Sequence, residues 1–213
     1  MNYSNNTFIV KTLLLTQILS FTFCHFVIAN PAAPPKPKQN WALEFNPSEG
    51  SVEFIAVGKP KAIKIHGKGE GPKGKLQLAP RGKPGGELFF ALGTIDTGIN
   101  LRNEHMKKKY LDTAAFPLAK LDNLTVALPP ARKGEAFEFE KIPFQGRLSL
   151  HGVTQPIKGF VDLKRNGLQL KINARFDIKI SDFKIDIPTF AGITVTDEVQ
   201  VHIQADAPMV IQK

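Results

Sequence analysis

A strict alternation of apolar and polar residues, broken at intervals by glycine, proline and asparagine, constrains this chain more than any other feature. Val52 and Phe54 flank Glu53, Ile63 and Ile65 flank Lys64, and Leu76 and Leu78 flank Gln77. Phe176 and Ile178 alternate with Arg175, Asp177 and Lys179. A period of two sends successive side chains to opposite faces of a strand, so each run has one face for a core and one for water. The run 193–205 repeats the pattern, with Val199, Val201, Ile203 and Ala205 against Gln200, His202 and Gln204.

Turn chemistry separates the runs. Gly71-Pro72-Lys73-Gly74 and the stretch 81–86 are rich in residues that pre-set or permit turn dihedrals, and Pro129-Pro130 ends the extended run 118–128. A long strand is expected over 136–151, with Pro143 marking an edge or bulge. The runs 159–164 and 168–180 meet through Arg165-Asn166-Gly167, where Asn-Gly favours a primed turn and an antiparallel hairpin.

About nine extended runs fall in a chain of 213 residues, long enough for one domain with a sizeable core and short for two. The pattern therefore predicts an all-β fold, either a sandwich or a closed antiparallel barrel. Strand length and the removal of exposed edges favour the barrel, of about eight strands, whose interior is wide enough for one small ligand. The expected inward face carries Val52, Phe54, Leu88, Phe90, Val126, Leu148, Leu150, Phe176, Ile178, Val199 and Val201. Ordinary core packing explains each of these taken singly. Yet 16 Phe against 2 Tyr and 1 Trp leave the aromatic surface almost without polar handles, which suits a greasy chain better than a sugar or nucleotide.

One stretch departs from the strand pattern. Residues 101–111 contain no Gly, Pro or β-branched residue, so a short helix is expected there with Asn100 as N-cap. Glu104 precedes Lys108 by four residues, and Lys107, Lys108 and Lys109 fall at the carboxyl end, where the helix dipole favours cations. Met106, Tyr110 and Ala114 share a face that can plug a barrel mouth. Bounded by Gly98 and Pro117 as hinge and stop, the element is expected to gate the interior, with Arg102 and His105 orienting a headgroup or latching the element down.

Three pieces carry a family resemblance. They are Thr94-Ile95-Asp96-Thr97-Gly98 with Arg102-Asn103-Glu104-His105-Met106, Lys109-Tyr110-Leu111-Asp112 and Phe116-Pro117; then 144–154, FQGRLSLHGVT; then 195–201, VTDEVQV. Together they resemble the signature of the YceI-like polyisoprenoid-binding family over about residues 51–205. Asn103 stands where that family usually has Asp. The resemblance implies a closed lipocalin-like antiparallel barrel that holds an isoprenoid lipid and performs no chemistry, with no cofactor beyond that lipid.

Residues 1–29 read as an export signal: Lys11 precedes an apolar run with no acid, and Val27-Ile28-Ala29 leads into a proline-rich stretch. An uncleaved anchor is the competing reading, against which stand the run's length and the interruptions at Gln17 and His25. Lipid attachment at Cys24 is disfavoured by Phe21-Thr22-Phe23 before it. Residues 30–40, rich in Pro and Lys, read as an extended tether, and the domain is expected over 41–213. The localisation expected is the periplasm.

Cys24 is the single cysteine, so a mature chain has no disulfide and no thiol nucleophile. Loss of Lys11 takes the formal charge from +9 to +8. A lysine-coated sheet surface explains this balance, and an anionic membrane surface is the sharper alternative; nucleic acid is not expected after export. A composition of 42% hydrophobic and 22% charged residues excludes a disordered chain and a multi-span membrane protein. His66, His105, His151 and His202 form no metal-ligand spacing, and no nucleophile elbow or phosphate-binding glycine loop occurs. No enzyme and no metal are therefore expected. Two functions stand: a lipid-holding barrel, and a stress or interaction module whose barrel is filled by its own side chains. Monomer and homodimer both remain open.

Overall fold

The computed structural model describes residues 40–59, 63–78, 84–128, 136–190 and 192–212. The expected signal (1–29), all of the tether but Asn40, and the turn residues Arg81-Gly82-Lys83 and Pro129-Pro130 lie outside the described residues.

Among the described residues there are eleven strand segments: β1 Asn40–Phe45, β2 Gly50–Lys59, β3 Ile63–Glu70, β4 Lys73–Leu78, β5 Gly85–Ala91, β6 Leu118–Val126, β7 Phe137–Leu150, β8 Val153–Asn166, β9 Gln169–Lys179, β10 Thr189–Phe190 and β11 Ile193–Gln212. They make eight barrel staves. β1 pairs the end of β11, from Asn40 opposite Gln212 to Leu43 opposite Met209, and β2 pairs its start, from Gly50 opposite Ala205 to Lys59 opposite Thr194. β1 and β2 are thus one stave interrupted by the short 3-10 turn Pro47–Glu49, which Asn46 caps by accepting the Ser48 amide at 3.3 Å. β4 pairs β1 and β3 pairs β2 in the same way, so these form a second stave broken at Gly71-Pro72. From β4 the antiparallel circuit runs through β5, β6, β7, β8, β9 and β11 and returns to β1. The closed eight-stranded barrel expected from strand number is the fold observed.

One seam stays unzipped. β4 pairs β5, but β3 has no strand on that side and meets only an isolated bridge between Lys68 and Asp96. Residues 92–117 fill this gap. The Thr94 hydroxyl accepts the Glu70 amide at 3.1 Å and donates to Ala91 O at 2.7 Å. Gly69 is required opposite it, since a Cβ there would lie 2.9 Å from Thr94 Oγ1.

Three local expectations change. The helix is not continuous over 101–111: α1 spans Asn100–His105, and Met106–Tyr110 widens into a π-helical turn whose Leu111 amide bonds Met106 O at 2.8 Å. Its N-cap is Ile99, without a side-chain cap, because Asn100 already has helical geometry. In the β8–β9 hairpin Asn166 pairs Gln169, so the loop is Gly167-Leu168 with positive φ at Gly167 alone, the type II′ requirement. The turn with positive φ at both central residues is His151-Gly152, between β7 and β8. The bulge in β7 sits at Glu140-Lys141, not at Pro143; Lys141 adopts φ 54° and its amide bonds Asp162 Oδ1 at 2.8 Å.

The barrel is solid at one end. Around the lower half, where β1 begins at Asn40 and β8 turns into β9, Leu43, Phe45, Leu76, Leu88, Leu121, Leu124, Ile142 and Phe144 are all buried. Each such side chain contributes on the order of 1.5–3 kcal/mol on leaving water. Phe144 meets Phe176 edge to face at 6.1 Å, and above that pair the filling stops.

Candidate functional site

Above the Phe144–Phe176 floor lies a cavity of about 240 Å³, lined by β2 and β3, the upper parts of β5, β7, β9 and β11, and the segment that fills the seam. A void holding one water needs only about 10–15 Å³, so this is no packing defect. Of the fifteen residues singled out from sequence, thirteen line it: Val52, Phe54, Phe90, Leu148, Leu150, Phe176, Ile178, Val199 and Val201 from strands, and Arg102, His105, Met106 and Tyr110 from the inserted segment. Leu88 and Val126 do not. Leu88 belongs to the filled lower half, and Val126 ends β6 at that same end, half-buried against the core. Alternation gives the inward face of a strand but not its height along the barrel.

The structure adds residues that were not singled out. Ala56, Ile63, Ile65, Val195 and Ile203 follow the same alternation and were open to the same argument. Ile185 and Pro188 line the cavity from the irregular segment between β9 and β11, where no period applies.

Polar groups gather at the upper rim. Asp96 Oδ1 accepts the Gly98 amide at 2.8 Å and Asn103 Nδ2 at 2.6 Å. Asn103 Oδ1 in turn accepts the Thr97 amide at 2.8 Å and the Thr97 hydroxyl at 2.6 Å. Arg102 donates Nε to Thr97 Oγ1 at 2.9 Å and Nη2 to Thr97 O at 2.6 Å. The Gly98 amide and the Asn103 side chain hold the Asp96 carboxyl below its ordinary value. Loop 96–98 and α1 are therefore one hydrogen-bonded unit, and that unit is tied to β3 by reciprocal Lys68–Asp96 backbone bonds of 2.8 Å. Arg102 thus bonds within its own loop, to Thr97.

Across the mouth, the 3-10 turn Ile180–Phe183 is held by Asp197, which accepts the Ser181 hydroxyl at 2.7 Å and its amide at 2.9 Å. These two bonds keep the Asp197 carboxyl below the usual range. His151 Nδ1 lies 3.2 Å from Phe183 O, with the Phe116 ring edge-on at 4.9 Å between centroids. The three sequence pieces that carry the resemblance thus converge on this one end of the barrel. Among the described residues no group of three His, Cys, Asp or Glu stands together as a metal site.

The sequence profile of the YceI-like domain matches residues 43–207. The chain belongs to the YceI-like family. Among solved structures, the family fold is matched by BcnA of Burkholderia cenocepacia at a TM-score of 0.61, with 18% identity over 76% of this chain and 99% of that one. A polyisoprenoid-binding domain from Saccharophagus degradans, implicated in plant cell wall breakdown, matches at 0.55, with 16% identity over 79% of this chain and 97% of that one. At these identities the likeness speaks to the fold alone. No curated protein matches the sequence.

Proposed function

We propose that this chain is a non-catalytic carrier or buffer that holds one isoprenoid or comparable long-chain lipid in the upper barrel cavity. A single observation carries the reading: a large apolar cavity sits over a close-packed floor, and the polar side chains that border it lie at its rim. Such a site accepts a chain that leaves water almost entirely, at about 0.8 kcal/mol per buried CH₂, and leaves a polar end at the rim. The Saccharophagus degradans neighbour is described as polyisoprenoid-binding, which agrees with that chemistry. The export signal expected over 1–29 supports a periplasmic place for this work, and the basic charge fits an anionic membrane surface as the lipid's source or destination.

The test is a solvent extract of protein purified without detergent, read by mass spectrometry. A long-chain lipid in near-stoichiometric amount is the expected result. An extract without lipid, from a protein that also fails to take up added isoprenoid, would reject the container.

A further inference from the structure

The cavity needs a route in, and the strands leave few places for one. Seven of the eight stave junctions are paired ladders, and the eighth, between β3 and β5, is stopped by residues 92–117. That stopper is fixed at both ends. Its amino end is bonded to β3 through Asp96 and Thr94, and its carboxyl end through Leu92 N to Pro117 O at 3.0 Å and through the Phe116–His151 ring contact.

Its middle is held differently. The Tyr110 hydroxyl donates to Thr189 O at 3.3 Å and accepts the Thr189 amide at 3.2 Å, reaching across the mouth to a residue 79 positions away. Thr189 lies on β10, a strand of two residues whose one strand partner among the described residues is β11. Tyr110 closes the π-helical turn Met106–Tyr110, and that wider ring is a less regular way to hold a helix than the α form. Met106 and Tyr110 on one lip, and Pro188 and Ile193 on the other, all line the cavity. The π-helical turn therefore faces a short strand over the cavity, and the Tyr110 hydroxyl bonds across the gap.

We infer that the lipid passes between the Met106–Tyr110 turn and the Pro188–Thr189 segment, and that the Tyr110 hydroxyl is the latch of this portal. The inference rests on the container reading and adds the route and the residue that controls it. Opening breaks two hydrogen bonds and leaves the Asp96–Asn103–Arg102 unit seated on β3, so the turn swings while its root stays fixed. The chain passes between apolar lips, and its polar end stays beside the rim.

Stopped-flow fluorescence with all-trans-retinol, an isoprenoid that brightens in apolar surroundings, tests this on the full chain. Tyr110→Phe keeps the ring and removes the latch; uptake and release should both quicken about five- to tenfold, with little change in Kd. In the unaltered protein, hydrogen exchange at the Thr189 amide reports latch opening, and uptake must not outrun it. Identical rates in Tyr110→Phe, or uptake faster than Thr189 opening, would overturn the route while leaving the container intact. Failure to take up retinol by unaltered protein whose extract is also free of lipid would overturn both. Should Tyr110→Phe fold poorly, the exchange comparison alone decides.

Discussion

Arg147 Nε on β7 donates to Asp122 Oδ1 on β6 at 2.9 Å, while Lys120 Nζ lies 3.0 Å from Oδ2, so a nearly buried carboxylate has a cation on each oxygen. Lys120 also reaches Glu87 Oε1 on β5 at 3.0 Å, which links the three adjacent strands β5, β6 and β7. Burial pushes the Asp122 carboxyl up, but the hydrogen bonds from Lys120 and Arg147 more than offset this and hold it below its ordinary value. Glu87 and Asp122 correspondingly raise the Lys120 amine.

The sign of the acid response follows. Asp122, Asp96 and Asp197 all have folded-state values below the unfolded one, so each adds stability above the ordinary carboxylate range and loses it as pH falls through that range. The thermal midpoint should hold between pH 6 and 8 and decline below about pH 4. Asp122→Asn should cost about 1 kcal/mol at pH 7, roughly 2–4 °C, with a shallower acid decline. Calorimetry across pH on both proteins checks this; an unchanged acid limb would remove Asp122 from the account.

Asn103 gives a sharper case, because the family usually carries Asp there. Its amide accepts from Thr97 at one atom and donates to Asp96 Oδ1 at the other, a pairing that no carboxylate can supply. Asn103→Asp would place two acceptors 2.6 Å apart and two like charges in contact. The midpoint should fall at pH 7, and part of the loss should return on acidification toward pH 5 as the pair takes up one proton. Equal losses at both pH values would show that the Asn103–Asp96 bond matters only for its shape.

Gly67 and Phe54 face each other across β2 and β3, and the Phe54 ring covers the space that a Cβ on Gly67 would need. Gly67→Ala must move that ring, and the cavity is the open side. Bound retinol should fall while stability changes by about 1 kcal/mol or less, since an aromatic ring at a cavity wall can rotate away. A large loss of stability with unchanged binding would place the ring in packed surroundings instead.

Much of this architecture was legible from alternation, since β2, β5, β7 and β9 put their apolar residues on the inward face. What escaped depends on partners remote in sequence. β11 runs on past Ala205 to Gln212 because β9 pairs it through Asp206, Ala207 and Pro208 and β1 pairs it from Met209 to Gln212. The break between β1 and β2 looks like a loop in sequence and is a kink within one stave. The π-helical turn is invisible to helix propensity, which favours α1 continuing through Lys107, Lys108 and Lys109. Its position becomes intelligible only with Tyr110 bonded to Thr189. The height of the cavity floor was equally hidden, because Leu88 and Phe90 share one face of β5 and only Phe90 reaches the open half.

Ile178 separates a container from a filled core most directly. It lies on β9 one alternation above Phe176, half-buried, at the wall of the cavity and clear of the close-packed floor. Its neighbours Asp177 and Lys179 face outward, so a larger side chain at 178 has the interior as its only room. Ile178→Phe adds volume where about 240 Å³ is open, and a ring there occupies space that the lipid would otherwise fill. The expected outcome is loss of extractable lipid and several-fold weaker retinol binding with a nearly unchanged midpoint. In a solid interior the same substitution would overpack, costing about 1–3 kcal/mol with no lipid to lose. Thermal midpoint and extracted lipid, measured side by side on the two proteins, distinguish these outcomes, and a large fall in midpoint from a protein that never held lipid would end the container reading.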